Sequence, residues 1–328
     1  MEPLKIGING FGRIGKNVWH LLLNDKDMDV CAINHPGIDV EQFLYMAQND
    51  SLLHYKNIEL KSGEGYVILK KFDIWKKIWI FSQASPSDIE WEKAEIDVVI
   101  DSSGKFKKRE ELEKHSGVGL IVLTGPPSGD DMEVIINGFS HYWNDNVISC
   151  GSCTTNCLVP LLDLVNNVFG IEFANFLTVH ATTPSQSVSD RKNLKDWRLG
   201  RNAYQNIIPT STGASSMVKK CFPELIGKVQ GSAVRVPIEN GSFLEINFET
   251  KKDINLEILF ELMSRHDIIE LSTNKNVSSD IKKLDKICVV DKDLVKAYDK
   301  KHLKIGAWYN NESGYVRQLL EVLRKKYC

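Results

Sequence analysis

Residues 4–22, LKIGINGFGRIGKNVWHLL, decide the fold. The apolar-rich run Leu4 to Asn9 suits a short buried strand. It leads directly into Gly10-Phe11-Gly12-Arg13-Ile14-Gly15, a GxGxxG. Ile14, Val18, Leu21 and Leu22 then share one helical face, and Val30 to Asn34 (VCAIN) is the next buried strand. Strand, glycine turn, helix, strand is the order of a Rossmann unit. The glycines let the backbone approach a pyrophosphate, and the helix N-terminus favours its charge. An acidic residue usually closes such a unit at the end of its second strand. Here that strand ends Asn34-His35-Pro36, and an imidazole cannot make a carboxylate's bidentate contact with ribose hydroxyls.

Working outward, Ile96–Ile100, Leu120–Leu123 and Val147–Cys150 are further buried strands. They end in Asp101-Ser102-Ser103-Gly104, Thr124-Gly125-Pro126-Pro127 and Gly151. Strand ends of an open parallel sheet line the cofactor crevice, so Ser103, Thr124 and Cys153 are expected to converge there. Lys70–Phe81 (KKFDIWKKIWIF) places two apolar-aromatic runs around Lys76-Lys77 and reads as a hairpin. Lys105 to Arg109 suits a solvated helix start beside Glu110 and Glu111.

The 328 residues allow two domains with substantial cores. A net charge of -2 and ordinary composition argue against nucleic acid or an anionic membrane as the main partner. No apolar stretch approaches a bilayer span, and no basic-then-apolar leader opens the chain, so a cytoplasmic location is expected. Seven cysteines at irregular spacing form no zinc pattern, so no metal is expected and most thiols should be buried and reduced.

Cys153 differs from the other cysteines. In Ser152-Cys153-Thr154-Thr155-Asn156-Cys157 it precedes Leu158, Val159, Leu161, Leu162, Leu164 and Val165, an apolar run at helical spacing. A thiol at a helix start meets unpaired N–H groups and the positive end of the dipole, both of which favour thiolate. The strand Phe176–Val179 ends at His180-Ala181-Thr182-Thr183, where an imidazole near Cys153 could lower the thiol's pKa and shuttle protons. Ile207–Gly213 (IIPTSTG) combines hydroxyls with a helix start, suited either to an oxyanion or to simple capping. Arg235 lies in the apolar strand AVRVP and needs a structural carboxylate or a ligand phosphate as partner. Residues 185–201 form a polar loop whose Trp197 argues for docking. Phe243–Phe248 alternates like a half-exposed antiparallel strand. Helix 255–264, strand 305–309, turn 310–314 and an amphipathic helix to Lys326 follow.

Together, INGFGRIGK (8–16), SCTTNCLVPL (152–161), TVHATTPSQ (178–186), NIIPTSTGAS (206–215), RVP (235–237), VSSD (277–280) and WYNNESGY (308–315) closely resemble the phosphorylating glyceraldehyde-3-phosphate dehydrogenases over nearly the whole chain. The resemblance implies an α/β fold. Residues 1–151 would form a Rossmann NAD-binding domain, completed by a C-terminal helix at 313–328, and residues 152–312 an α+β catalytic domain with a mainly antiparallel sheet. It implies oxidation of glyceraldehyde 3-phosphate to 1,3-bisphosphoglycerate with NAD and inorganic phosphate. Cys153 would be the nucleophile, passing through a thiohemiacetal and a thioester, and His180 its base. Thr183 and Arg235 match the residues around the substrate phosphate. Ser152, Thr154, Thr212 and Gly213 match those around the attacking phosphate. Asn9, Gly10, Phe11, Gly12, Arg13, Ile14, position 35, Ser103 and Thr124 match cofactor contacts, and Asn311 the partner of the nicotinamide amide. The family implies a homotetramer.

The chain departs from that pattern at four places. His35 stands where NAD-using members usually carry Asp, and Ala84 where many carry Arg. The loop after His180 carries Arg191 and Lys192, and the segment 268–276 is short. Without the carboxylate, NAD use with weaker discrimination against NADP is expected. Erythrose-4-phosphate dehydrogenase shares the Cys and His and is the second enzyme reading, but the intact IIPTSTG loop favours the first. A degenerate paralogue kept for binding would have lost Cys153 or His180.

Overall fold

The computed structural model describes residues 2–53, 58–140, 143–184, 186–194 and 196–328. The chain separates into two compact units, Met1–Ile135 with Tyr142–Cys150 and Leu319–Cys328, and Ile136–His141 with Gly151–Gln318.

In the first unit, strands β1 (Leu4–Asn9), β2 (Met28–Asn34), β3 (Leu60–Gly63), β4 (Tyr66–Lys71), β5 (Ile74–Phe81), β6 (Val98–Asp101), β7 (Leu120–Leu123), β8 (Glu133–Val134) and β9 (Val147–Ser149) form one sheet. Their order is β3-β4-β5-β2-β1-β6-β7-β9-β8. From β5 through β8 neighbouring strands are parallel, whereas β3, β4 and β5 pair antiparallel. The order reverses between β1 and β6, so a ligand crevice is expected at their carboxyl ends, where Gly10 and Ser103 lie. Helices α1 (Arg13–Leu22), α2 (Val40–Gln48) and the short α3 (Arg109–Leu112) belong to this unit. Phe11, Trp19 and Phe43 pack ring against ring beneath the glycine turn. Buried Lys71 closes the other end of α1. Its Nζ donates to Leu22 O at 2.9 Å, Met28 O at 3.0 Å and Asp29 Oδ1 at 2.6 Å, so the buried ammonium is both paired and hydrogen-bonded.

The Lys70–Phe81 hairpin is real, but its turn is not at Lys76-Lys77. The chain reverses at Phe72 and Asp73, both at positive φ (50° and 64°), and the two lysines lie within β5. Lys77 Nζ sits over the Tyr66 and Trp79 rings, which stabilises a cation inside a strand that hydropathy alone marks as a break.

In the second unit, α4 (Cys153–Phe169) is buried along most of its length, as expected of a helix that is apolar all round. Strands β10 (Ile171–His180), β11 (Ile208–Thr210), β12 (Val229–Arg235), β13 (Ser242–Thr250), β14 (Glu270–Ser272), β15 (Val289–Asp291), β16 (Lys296–Ala297) and β17 (His302–Tyr309) form the second sheet. Its order is β11-β12-β10-β13-β17-β15-β14, with β16 on β17, and it is mainly antiparallel. Helices α5 (Ala214–Cys221), α6 (Leu256–Ser264) and α7 (Ser278–Ile281) belong to this unit, and α8 (Ser313–Tyr327), which ends the chain, passes into the first unit at Leu319. The parallel pairing of β10 with β12 sets His180 beside Arg235, and β13 sets Ser242 opposite Tyr309.

In the loop before β11, Ser185 and Lys195 lie outside the described residues. Backbone bonds from Arg191 N to Gly200 O and from Ala203 N to Ser187 O, both 2.8 Å, hold the described part. Trp197 does not dock it within the chain: the indole is 85% exposed, and Leu194 and Val188 of the same loop are exposed too. Main-chain pairing orders this loop and leaves its apolar side chains facing outward.

Candidate active site

Cys153 opens α4, as its sequence context requires. Ser152 is the N-cap, its Oγ accepting from Thr155 N at 3.1 Å. Cys153 Sγ lies 3.3 Å from His180 Nε2 at the end of β10. Burial pushes the Cys153 thiol up, while Arg235, the N–H and hydroxyl of Thr154 and the N–H of Cys153 itself pull it back. The helix-start effect is therefore present but outweighed by desolvation, and the resting group is a thiol. Burial, with Arg235 alongside, pushes His180 down to about 3, so its ring is neutral at pH 7 and free to accept a proton.

On the other side of the ring, His180 Nδ1 lies 2.7 Å from Ala181 O. Arg235 Nη1 donates to the same carbonyl at 3.0 Å and also contacts Nδ1. Among the described residues, no carboxylate pairs with this half-buried guanidinium. Of the two partners open to it, a structural carboxylate is thus not the one used.

Tyr309 is a site residue that local spacing does not reveal. Its buried hydroxyl bonds Thr178 Oγ1 at 2.7 Å and Thr154 Oγ1 at 3.0 Å, and its ring meets the His180 ring edge to face. The Thr154 hydroxyl is thus shared between Tyr309 and the Cys153 sulfur, which the Thr154 backbone N–H also faces. Thr183 N donates to Gln186 Oε1 at 3.0 Å. Thr212 Oγ1 accepts from Ala214 N at 3.2 Å as Gly213 caps α5. Asn311 Oδ1 accepts from Ser242 Oγ at 2.9 Å and Gly241 N at 3.2 Å, which fixes which end of the amide is the acceptor.

In the first unit, Gly10 has φ +96°, and a Cβ there would meet Ser103 N at 2.6 Å. The Gly12 N-cap offers α1 no side-chain cap, and the positive end of the helix dipole points to the glycine turn. Arg13 Nη1 is held by Asp50 at 2.7 Å and 2.9 Å, with Lys16 on the same carboxylate. Asn9 and Ser103 are placed differently from a simple contact set: both side chains bond Asp101, at 2.7 Å each. Thr124 Oγ1 donates to Asp101 O at 3.0 Å. His35 Nδ1 accepts from Phe11 N at 3.2 Å, and burial lowers its pKa. The ring is then neutral with its proton on Nε2, a donor where a carboxylate acceptor is usual. It borders a hollow of about 540 Å³ also lined by Gly37, Ile38, Gln42, Tyr45 and Met46. Ala84 contributes its carbonyl to Lys105 Nζ at 3.3 Å.

A doubly wound sheet with a GxGxxG turn at its switch point defines a dinucleotide-binding protein, and the second unit carries a helix-start thiol against a neutral imidazole. Residues 4–109 match the family model for the NAD binding domain of glyceraldehyde 3-phosphate dehydrogenase, and residues 152–311 match the model for its C-terminal domain. A glyceraldehyde-3-phosphate dehydrogenase of Wickerhamomyces ciferrii is 37% identical, over 98% of this chain and 97% of its own. One from Shimwellia blattae is 36% identical over 98% of both, and a cytosolic one from Gracilaria gracilis is 35% identical over the same shares. The chain belongs to the glyceraldehyde-3-phosphate dehydrogenase family and is an NAD-dependent dehydrogenase.

Proposed function

We propose that this chain carries out the glycolytic oxidation of D-glyceraldehyde 3-phosphate to 1,3-bisphosphoglycerate with NAD and inorganic phosphate. The observation that carries the reading is Cys153 Sγ at 3.3 Å from a neutral His180 whose far side meets a guanidinium lacking a carboxylate partner among the described residues. Arg235 and Thr183 take the substrate phosphate. As Arg235 turns to that anion, Ala181 O keeps the Nδ1 proton of His180, and bare Nε2 faces the thiol. Nε2 removes the thiol proton as sulfur adds to the aldehyde carbon and returns it to the resulting alkoxide, which completes the thiohemiacetal and leaves Nε2 bare again. Cys153 N–H and the imidazole stabilise the developing oxyanion. His180 next takes the hydroxyl proton as the carbon is oxidised to the thioester. Phosphate held by Ser152, the Thr154 N–H, Thr212 and Gly213 attacks that carbon, and the Cys153 sulfur leaves. A thioester conserves oxidation energy that hydrolysis would dissipate.

The first unit fits the cofactor. Gly10 lets the glycine turn pack directly on the Ser103 backbone, and the dipole of α1, with no side-chain cap at Gly12, favours a pyrophosphate charge at its start. Asn311, whose amide oxygen is taken by Ser242 and Gly241, has its NH2 left to serve the nicotinamide carboxamide. Bound NAD supplies a two-electron acceptor. Gly10→Ala forces a side chain into positive φ, worth about 1–2 kcal/mol of strain, and into the Ser103 backbone. We expect NAD affinity, measured by calorimetry, to fall by about tenfold or more; an unchanged Kd would remove Gly10 from the site.

His35 donates through Nε2 to either a 2′-hydroxyl or a 2′-phosphate and repels neither, which supports NAD use with weakened exclusion of NADP. His35→Asp restores an acceptor and a negative charge, so the ratio of kcat/KM for NAD over NADP should rise by about tenfold. An unchanged ratio would show that position 35 does not choose the coenzyme.

Val188, Leu194, Trp197 and Ile207 are exposed on or beside one loop, an apolar surface that supports self-association as a homotetramer. No helix among the described residues is long and apolar enough to cross a membrane, and we place the protein in the cytoplasm. An initial-rate matrix of glyceraldehyde 3-phosphate and erythrose 4-phosphate against NAD and NADP, with and without phosphate, tests the reading. Phosphate-dependent NADH formation with the triose phosphate supports it; a preference for the tetrose would overturn the substrate.

A further inference from the structure

Beneath the glycine turn lies a buried polar chain that no step of the reaction uses. Asp101 and His115 have fully buried side chains, and Asp101 lies 92 residues from Asn9 and 14 from His115. Asp101 Oδ1 accepts from Ser103 N at 3.1 Å and Ser103 Oγ at 2.7 Å. Asp101 Oδ2 accepts from Asn9 Nδ2 at 2.7 Å and His115 Nε2 at 3.2 Å. Trp91 Nε1 donates to His115 Nδ1 at 3.0 Å, which fixes the His115 proton on Nε2. The chain continues from Asn9. Its Oδ1 accepts from Asn34 Nδ2 at 2.8 Å, and the Asn34 amide exchanges two bonds with the Gln83 backbone, at 2.8 Å and 3.0 Å.

Four of these residues lie at or just past the ends of four different strands. Asn9 precedes the glycine turn after β1, Asn34 precedes His35 after β2, Gln83 follows β5, and Ser103 follows β6. One carboxylate therefore ties together the segments that form the rim of the nucleotide crevice. We propose that Asp101, oriented by His115 and Trp91, is a positioning residue that sets coenzyme affinity by holding this rim in one frame. The proposal rests on the reading of the first unit as the NAD site. The carboxylate is needed because the cluster offers it only donors: Ser103 N–H and O–H, the Asn9 amide and His115 Nε2–H. An amide of the same shape has one acceptor oxygen, so either way it turns its NH2 into two of those donors.

Asp101→Asn keeps the packing and breaks the bonding. We expect KM for NAD to rise by about tenfold or more, with kcat changed by no more than a few-fold. Iodoacetamide alkylation of Cys153, which reads the second unit, should keep its rate. Moving the carboxylate to the other end of its bond, with Asn9→Asp added to Asp101→Asn, gives the position-101 amide and Asn34 an acceptor and should recover at least about threefold of the lost KM. His115→Leu, a second variant should Asp101→Asn fail to fold, should raise KM for NAD by about threefold. If the native chain does not bind NAD in calorimetry, the cofactor reading itself fails. If it does bind, and the folded variants match it in KM, the positioning role is wrong. A loss in kcat equal to that in KM, or a double variant no better than Asp101→Asn, would also overturn it in favour of a general structural role.

Discussion

Cys153→Ser abolishes phosphate-dependent NADH formation, with kcat reduced by about 10⁴-fold or more. The alcohol that replaces the thiol is far less acidic, and nothing at the start of α4 compensates. Burial already pushes the Cys153 thiol up, and the Arg235 charge with nearby N–H groups only partly offsets this. A neutral imidazole can take a proton from a thiol under those conditions but is much too weak a base for an alcohol. An oxygen nucleophile would also end in an ester, which phosphate cleaves more slowly than a thioester. The introduced hydroxyl would keep the N-terminal position in α4 without disturbing the Ser152 cap, so the melting temperature should stay close to native. Substantial residual turnover in a folded Cys153→Ser protein would sink the assignment of the nucleophile.

His180→Asn should lower kcat by about 10²–10⁴-fold, the usual range for losing a general base. The asparagine can still donate a hydrogen bond but cannot accept the thiol or hydroxyl proton. The same variant carries a stability signature. His180 titrates near 6.5 in an unfolded chain and is pushed down to about 3 in the native one. Between those values the unfolded chain binds a proton that the native chain refuses. The residue's stabilisation is therefore complete above about pH 6.5 and declines as pH falls towards 3, by an amount on the order of a few kcal/mol. Melting temperatures of native and His180→Asn protein at pH 7, 5 and 4 should show a smaller acid loss in the variant. Equal slopes would mean that His180 is not held neutral, and undiminished turnover would mean that it is not the base.

Much of this is legible in the chain itself. The GxGxxG after an apolar run can hardly be built otherwise, because Gly10 needs positive φ and no Cβ, and the helix that follows has its apolar face at fixed spacing. Cys153 at a helix start and His180 at a strand end are local facts of the same kind. The errors fall where contacts that hydropathy and periodicity do not encode decide. Lys76-Lys77 reads as a turn because charge interrupts an apolar run. In the fold, aromatic rings on the same strand and its neighbour accept Lys77, and Phe72-Asp73 turn instead. Trp197 reads as a docking residue because a large indole normally seeks burial, yet backbone pairing orders its loop and the ring faces outward. Tyr309 has no local signal, since its role depends on Thr154 and Thr178, each more than a hundred residues away.

The sequence by itself determined the chemistry available: a dinucleotide turn, one poised cysteine, one histidine at a strand end and one arginine in an apolar strand. Those follow from residue type and from periods of two and 3.6, which are local. Tertiary structure decided how the groups behave. Strand register set Arg235 against His180, burial made both the thiol and the imidazole neutral at rest, and Asp101 gathered the crevice rim. Protonation state and hydrogen-bond direction depend on desolvation and on partners brought together from across the chain, and no stretch of sequence carries those alone.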